Sequence, residues 1–219
     1  MFIQKYINTI IYLFIIFSIS PTLAADKNTE FPIPSKYNGS IEKGKEKSLA
    51  HNCFECHGEK GIGTSSGYPN LAGQYPEYII KQIQNFRTGE RRAPFMNNIA
   101  AVIDDQDMID VAIYFSSKQK NKEKNTLENK VAKDLYFNGD KTRNIIACSL
   151  CHGNNGQGIR SSEQVYPMIG GQQMYYLREQ LLNWRLGTRS NSPDRIMNKV
   201  SQALTEEEIE ALSHFISTM

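Results

Sequence analysis

Two short clusters, Cys53-Phe54-Glu55-Cys56-His57 and Cys148-Ser149-Leu150-Cys151-His152, hold all four cysteines of the chain and constrain it more than any other feature. The segments that follow them repeat as well. Cys56-His57-Gly58-Glu59-Lys60-Gly61 is answered by Cys151-His152-Gly153-Asn154-Asn155-Gly156, and Tyr68-Pro69-Asn70-Leu71-Ala72-Gly73-Gln74 by Tyr166-Pro167-Met168-Ile169-Gly170-Gly171-Gln172. Phe86-Arg87-Thr88-Gly89-Glu90-Arg91 is answered by Trp184-Arg185-Leu186-Gly187-Thr188-Arg189, and past one more loop Met96 falls opposite Met197. Agreement of this kind means one unit used twice. Each unit has roughly 90 residues, a size that limits the core it can build alone and favours filling its centre with something large and apolar.

Both copies read as helices. Ile41–Asn52 is a charged helix leading into the first cysteine pair. Pro76 suits a helix start and Gly89 a helix stop, with Tyr78, Ile79, Ile83 and Phe86 at helical spacing between them. Asp104 caps a last helix whose Met108, Val111, Ala112 and Phe115 share a face. In the second copy, Met174–Leu186 carries Leu177, Leu181 and Trp184, and Thr205-Glu206-Glu207-Glu208 is a capping box. No stretch alternates as a strand does, so the expected fold class is all-α. Residues 1–24 have the layout of a secretory signal peptide, with cleavage after Ala24. Their apolar run of about 13 residues falls short of the roughly 20 that span a bilayer, though a retained anchor is the alternative. The expected organisation is a leader at 1–24, a first domain at 25–117, a lysine-rich solvated linker at 118–130 and a second domain at 131–219. A formal net charge of +2 gives no argument for a nucleic-acid partner.

Cys-x-x-Cys-His is the attachment signature of c-type haem. Two thiols form thioethers with the two vinyl groups, and the adjacent histidine is carried beneath the iron. Cys53, Cys56 and His57 therefore hold one haem c and Cys148, Cys151 and His152 a second, both covalent. A zinc site built from four cysteines is the competing reading. It leaves both histidines unused and pulls together pairs that the duplication assigns to separate units. Two disulfides, the other use of four cysteines in an exported chain, leave the histidines unexplained too. A thioredoxin-like redox motif needs a βαβ pattern that is absent. For the sixth ligand, Met108, Met168 and Met174 have no methionine opposite them in the other copy, and Met219 ends the chain. Met96 and Met197 align with each other, in the loop between the last two helices, and are the expected axial ligands alongside His57 and His152. His51 and His214 lack counterparts; either is a spare ligand at most, and both are expected at the surface or in packing. No residue is assigned a catalytic role.

The motif set Cys-His-Gly with Gly-x-Gly, Pro-x-Leu-Ala-Gly-Gln, Phe-Arg-x-Gly-x-Arg and the late methionine resembles the cytochrome c4 family over nearly all of residues 41–219. Leu135-Tyr136-Phe137-Asn138-Gly139-Asp140 adds to the likeness. The resemblance implies two tandem class I cytochrome c domains with neighbouring haems. It implies a periplasmic electron carrier, with a quinol-oxidising membrane complex as donor, a terminal oxidase as acceptor and an optional peripheral association with the membrane. In class I c cytochromes a proline carbonyl orients the axial histidine, a role that falls here to Pro69 and Pro167. Arg87, Arg91, Arg185 and Arg189 are duplicated and suit haem propionates or plain surface charge. Two other readings remain open: an electron-accepting subunit of a catalytic partner, and a dihaem enzyme of the peroxidase or thiosulfate dehydrogenase type. The second needs an iron with an open or different ligand position.

Overall fold

The computed structural model describes residues 37–120, 129–161 and 163–219. The expected leader at 1–24 and most of the linker lie outside the described residues. Among the described residues no helix is long and apolar enough to cross a membrane.

The first half contains α1 (Ile41–Ala50), α2 (Cys53–His57), α3 (Pro76–Thr88), α4 (Pro94–Val102) and α5 (Asp105–Ser116). The second contains α6 (Lys130–Asn138), α7 (Ser149–His152), α8 (Met174–Leu186), α9 (Ile196–Ala203) and α10 (Glu206–Ser217). Local chemistry sets the boundaries. Ser40 accepts from the Lys43 N–H at the start of α1. Pro76 opens α3, where its missing N–H costs nothing, and Gly89 closes it in the left-handed conformation. Asp104 caps α5 through the Asp107 N–H at 2.7 Å, and the Thr205/Glu208 capping box opens α10 as its sequence foretells.

In each half the first and last helices pack together, α1 on α5 and α6 on α10. Gly44 is required for the first of these crossings: a Cβ there would stand 2.0 Å from the Asp110 carbonyl oxygen. Each half keeps its own apolar cluster. Ile79, Ile83, Phe86, Met108 and Phe115 belong to one, and Leu135, Tyr136, Leu177, Ile209 and Phe215 to the other. Two cores in one chain are what the duplication requires.

The fold class is all-α as expected, and its described strands are one short antiparallel pair, Ile159–Arg160 (β1) with Val165–Tyr166 (β2), in the loop that the second copy has lengthened. One expectation needs correction: Met96 and Met197 do not sit in loops. Met96 lies in the first turn of α4 behind Pro94, and Met197 is the second residue of α9.

Candidate functional site

A single continuous cavity of about 1360 Å³ runs through both halves. Cys53, Cys56, His57 and Met96 line it on one side, and Cys148, Cys151, His152 and Met197 on the other. All four cysteines are free, which excludes the disulfide reading. Among the described residues no three His, Cys, Asp or Glu side chains come together as a metal cage, which removes the four-cysteine zinc site.

The geometry around the two histidines is matched. His57 Nδ1 lies 3.0 Å from the Pro69 carbonyl, and His152 Nδ1 lies 2.9 Å from that of Pro167. Each Nδ1–H donates to its carbonyl, which fixes the tautomer and leaves Nε2 unprotonated, in the form that can ligate a metal. Burial pushes both imidazoles below their ordinary range, against the raising effect of the proline carbonyls, and so keeps them neutral. Burial likewise drives the Cys53 and Cys148 thiols up to about 11, so as free groups they stay protonated near neutral pH. Cys53 and Cys56 stand one turn apart on α2, which begins at Asn52 in a left-handed conformation.

On the other side of the cavity each methionine is followed by an asparagine, and these are residues that the sequence reading passed over. Asn97 Nδ2 donates to the carbonyls of Phe86 and Arg91 at 2.6 and 2.9 Å. Asn198 Nδ2 donates to those of Trp184 and Arg189 at 2.8 and 2.7 Å. Each pair of bonds ties a methionine-bearing helix to the end of the preceding one. Their alignment in the duplication was the signal that could have revealed them. Met108 is buried in the first core, as expected. Met168 also reaches the cavity wall, but its backbone is clasped by Gln74 of the other half. His51 pairs with Asp107 at 3.2 Å, and neither it nor His214 lines the cavity.

The halves grip one another reciprocally. Gln74 exchanges two hydrogen bonds with the Met168 backbone (2.9 and 3.0 Å), and Gln172 exchanges two with that of Asn70 (2.7 and 2.9 Å). The closing glutamine of each Gly-Gln motif thus holds the partner half's proline loop, which also positions its histidine.

The lining suits haem in three respects. It is mainly apolar with a few placed polar groups. The buried Trp184 Nε1–H has no protein partner and lines the cavity, as a donor to a bound carboxylate would. Arg91 and Arg189, also on the wall, are buried without a carboxylate partner among the described residues, and haem propionates are such carboxylates. Arg87 is different. It bonds Asp105 and the carbonyls of Ala100 and Ile103, so it fastens α3 to α4 and α5 and does not line the cavity.

Two small helical domains, each with a haem-attachment motif, an oriented histidine and a shared cavity, define a dihaem c-type electron-transfer protein. A family model described as cytochrome c matches residues 41–119 and again 130–219. Cytochrome c4 from Pseudomonas aeruginosa is 34% identical over 181 residues, covering 81% of this chain and 88% of its own. A thiosulfate dehydrogenase electron acceptor from Stutzerimonas stutzeri is 32% identical over 182 residues, covering 81% and 83%. The structure of reduced recombinant cytochrome c4 from Pseudomonas stutzeri matches with a TM-score of 0.75 at 31% identity, covering 83% of this chain and 99% of that one. The chain belongs to the cytochrome c family, among its dihaem cytochrome c4 members. Its cofactors are two covalently bound haem c groups.

Proposed function

We propose that the protein is a periplasmic electron shuttle whose two irons are both ligated by histidine and methionine: His57 with Met96, and His152 with Met197. When bound, each haem iron supplies a one-electron ferric–ferrous couple. The chain's own residues do the rest. Cys53, Cys56, Cys148 and Cys151 anchor the two groups. Pro69 and Pro167 hold the histidine rings in place, and Asn97 and Asn198 hold the helices that carry the methionines. The observation that carries this reading is the matched histidine and methionine on the wall of each half of one continuous cavity. With both positions filled, no iron is left open to a substrate, and methionine ligation raises the potential toward the oxidising end of a chain. The donor would be a quinol-oxidising complex and the acceptor a terminal oxidase, reached from the periplasm after export by the leader at 1–24. The domains would run over 25–117 and 131–219, joined by the linker at 118–130.

A second reading is favoured by one relative described above, a thiosulfate dehydrogenase electron acceptor. In that reading the same two haems take electrons from a dedicated catalytic subunit. Stoichiometric co-purification of a dehydrogenase would decide for it.

Exposure of the reduced protein to carbon monoxide tests the closed-site reading. The expected result is negligible binding near neutral pH in the unmodified protein and one equivalent in Met197→Ala, with the haem retained. Peroxide or thiosulfate turnover by the unmodified protein at roughly 1–1000 per second would mark an enzyme instead.

A further inference from the structure

Between the two pockets lies a buried polar network that neither pocket explains alone. Tyr78, Gln82 and Arg91 enter it from the first half, and Tyr176, Gln180 and Arg189 hold the matching places in the second. Arg91 donates to Gln82 Oε1 at 2.8 Å in its own half, then crosses to the Tyr176 hydroxyl at 2.9 Å and Gln180 Oε1 at 3.0 Å. Arg189 does the converse. It donates to Gln180 Oε1 at 2.6 Å and crosses to the Tyr78 hydroxyl and Gln82 Oε1, both at 3.1 Å. The pattern is the self-complementary one of a two-fold interface, built within a single chain. Arg91 stacks on Phe86 and Arg189 on Trp184, at 4.6 and 3.7 Å from the ring centres.

Only 7% of Arg91 and 4% of Arg189 is exposed, and no carboxylate pairs with either guanidinium among the described residues. Lys81 adds a further cation at the rim, where it donates to Asn85 and to the Asn191 carbonyl. Among the described residues, Glu90 reaches the edge of the network with its carboxylate bonded to Asn85. Carboxylates for these two cations would come from the propionates of the bound haems, and a charge shared between two sites acts on both, because the interior screens charge poorly.

We infer that Arg91 and Arg189 form a shared electrostatic bridge, in which each guanidinium raises the reduction potential of both haems. The ferric site carries one more positive charge than the ferrous, so a fixed neighbouring cation disfavours the ferric form. Each arginine is anchored in both halves and lines the common cavity, so its charge is not private to the pocket of its own half. The inference rests on one haem occupying each pocket as proposed above.

Spectroelectrochemical titration of the purified dihaem protein tests it. Arg91→Gln and Arg189→Gln remove the charge and keep hydrogen-bonding capacity. Each single variant should lower both midpoints, changing the ratio of reduced to oxidised haem at a fixed applied potential by about tenfold, or 59 mV for a one-electron couple. Arg189→Lys keeps the charge and should leave both midpoints nearly in place. Gln82→Glu, a near-isosteric change that places a carboxylate against both guanidiniums, should also lower both midpoints, and it remains informative where a glutamine variant fails to fold. The bridge is refuted if a glutamine variant shifts one haem alone or neither, if lysine is as damaging as glutamine, or if Gln82→Glu leaves both midpoints unmoved. Intact mass and the ferric methionine–iron band, recorded on every variant, separate failure of this inference from failure of the ligand assignment.

Discussion

In the first half, Asp107 in the opening turn of α5 is held by Lys47 at 3.1 Å and His51 at 3.2 Å, both from the end of α1. In the second half the corresponding residue of α10, Glu208, is gripped by both ends of the Arg143 guanidinium at 2.9 and 2.8 Å, and Arg143 is itself braced by Asp140. Both clasps tie the segment ahead of the haem motif to the last helix, with unrelated chemistry. The groups around the cavity behave otherwise. His57 and His152, Pro69 and Pro167, Gln74 and Gln172, Arg91 and Arg189, and Asn97 and Asn198 are the same on both sides. These residues orient the histidine and methionine elements or bridge the halves, and they keep one identity where other wall positions, such as Phe86 and Trp184, do not. A clasp on the outside has only to supply a cation opposite a carboxylate.

The sharpest way to break this comparison is through the two asparagines. Asn198 is 2% exposed and Asn97 only half-buried; their donated bonds are equivalent, and Asn97 in addition accepts from the Ala93 N–H at 2.8 Å. Asn198→Ala leaves two buried carbonyls unpaired and should cost about 2–3 kcal/mol, against about 1–2 kcal/mol for Asn97→Ala. Urea unfolding of the two variants checks the order. Equal losses would mean that solvent reaches both sites alike.

Acid should separate the clasps by a smaller margin. Burial works to raise the Asp107 carboxyl, but hydrogen bonds from His51 and Lys47 outweigh it and hold the group below its usual range. Arg143 lowers Glu208, and hydrogen bonds from Thr142 and Arg143 drive Asp140 far down. Carboxyls depressed in the folded state contribute stability that is fully present above their unfolded value, about 4, and lost as pH falls through the folded one. With the deeper depression in the second half, α5 should lose amide protection at a higher pH than α10 on acidification from pH 5 to pH 2. Arg143→Ala should narrow or reverse that order, with little effect on stability near neutral pH because the pair is open to solvent. Earlier loss in α10 of the unmodified protein would contradict the comparison.

Much of this was legible in the residues. Pro76 and Gly89 marked α3, Thr205 with Glu208 marked α10, and the paired motifs marked both ends of the cavity, because each rests on local chemistry that a short window contains. The start of α4 at Pro94 is equally local, a proline at the first helical position, and it takes Met96 out of the loop. In the second copy the same approach is made by Asp194 and Arg195 in left-handed conformations, which Asp tolerates but the arginine does not announce. The β1–β2 pair is too short to show alternation. The crossing of Arg91 and Arg189 was invisible for a different reason. The duplication showed that both arginines exist, but only the docking of the two halves shows that each one serves the other's side.

The central claim is that both irons are closed by methionine, one from each copy. The intensity of the ferric thioether-to-iron charge-transfer band, measured per protein in the unmodified chain and in Met96→Ala and Met197→Ala, tests it most directly. Two equivalents in the first and one in each variant are predicted. A band that neither substitution diminishes would contradict the assignment of Met96 and Met197.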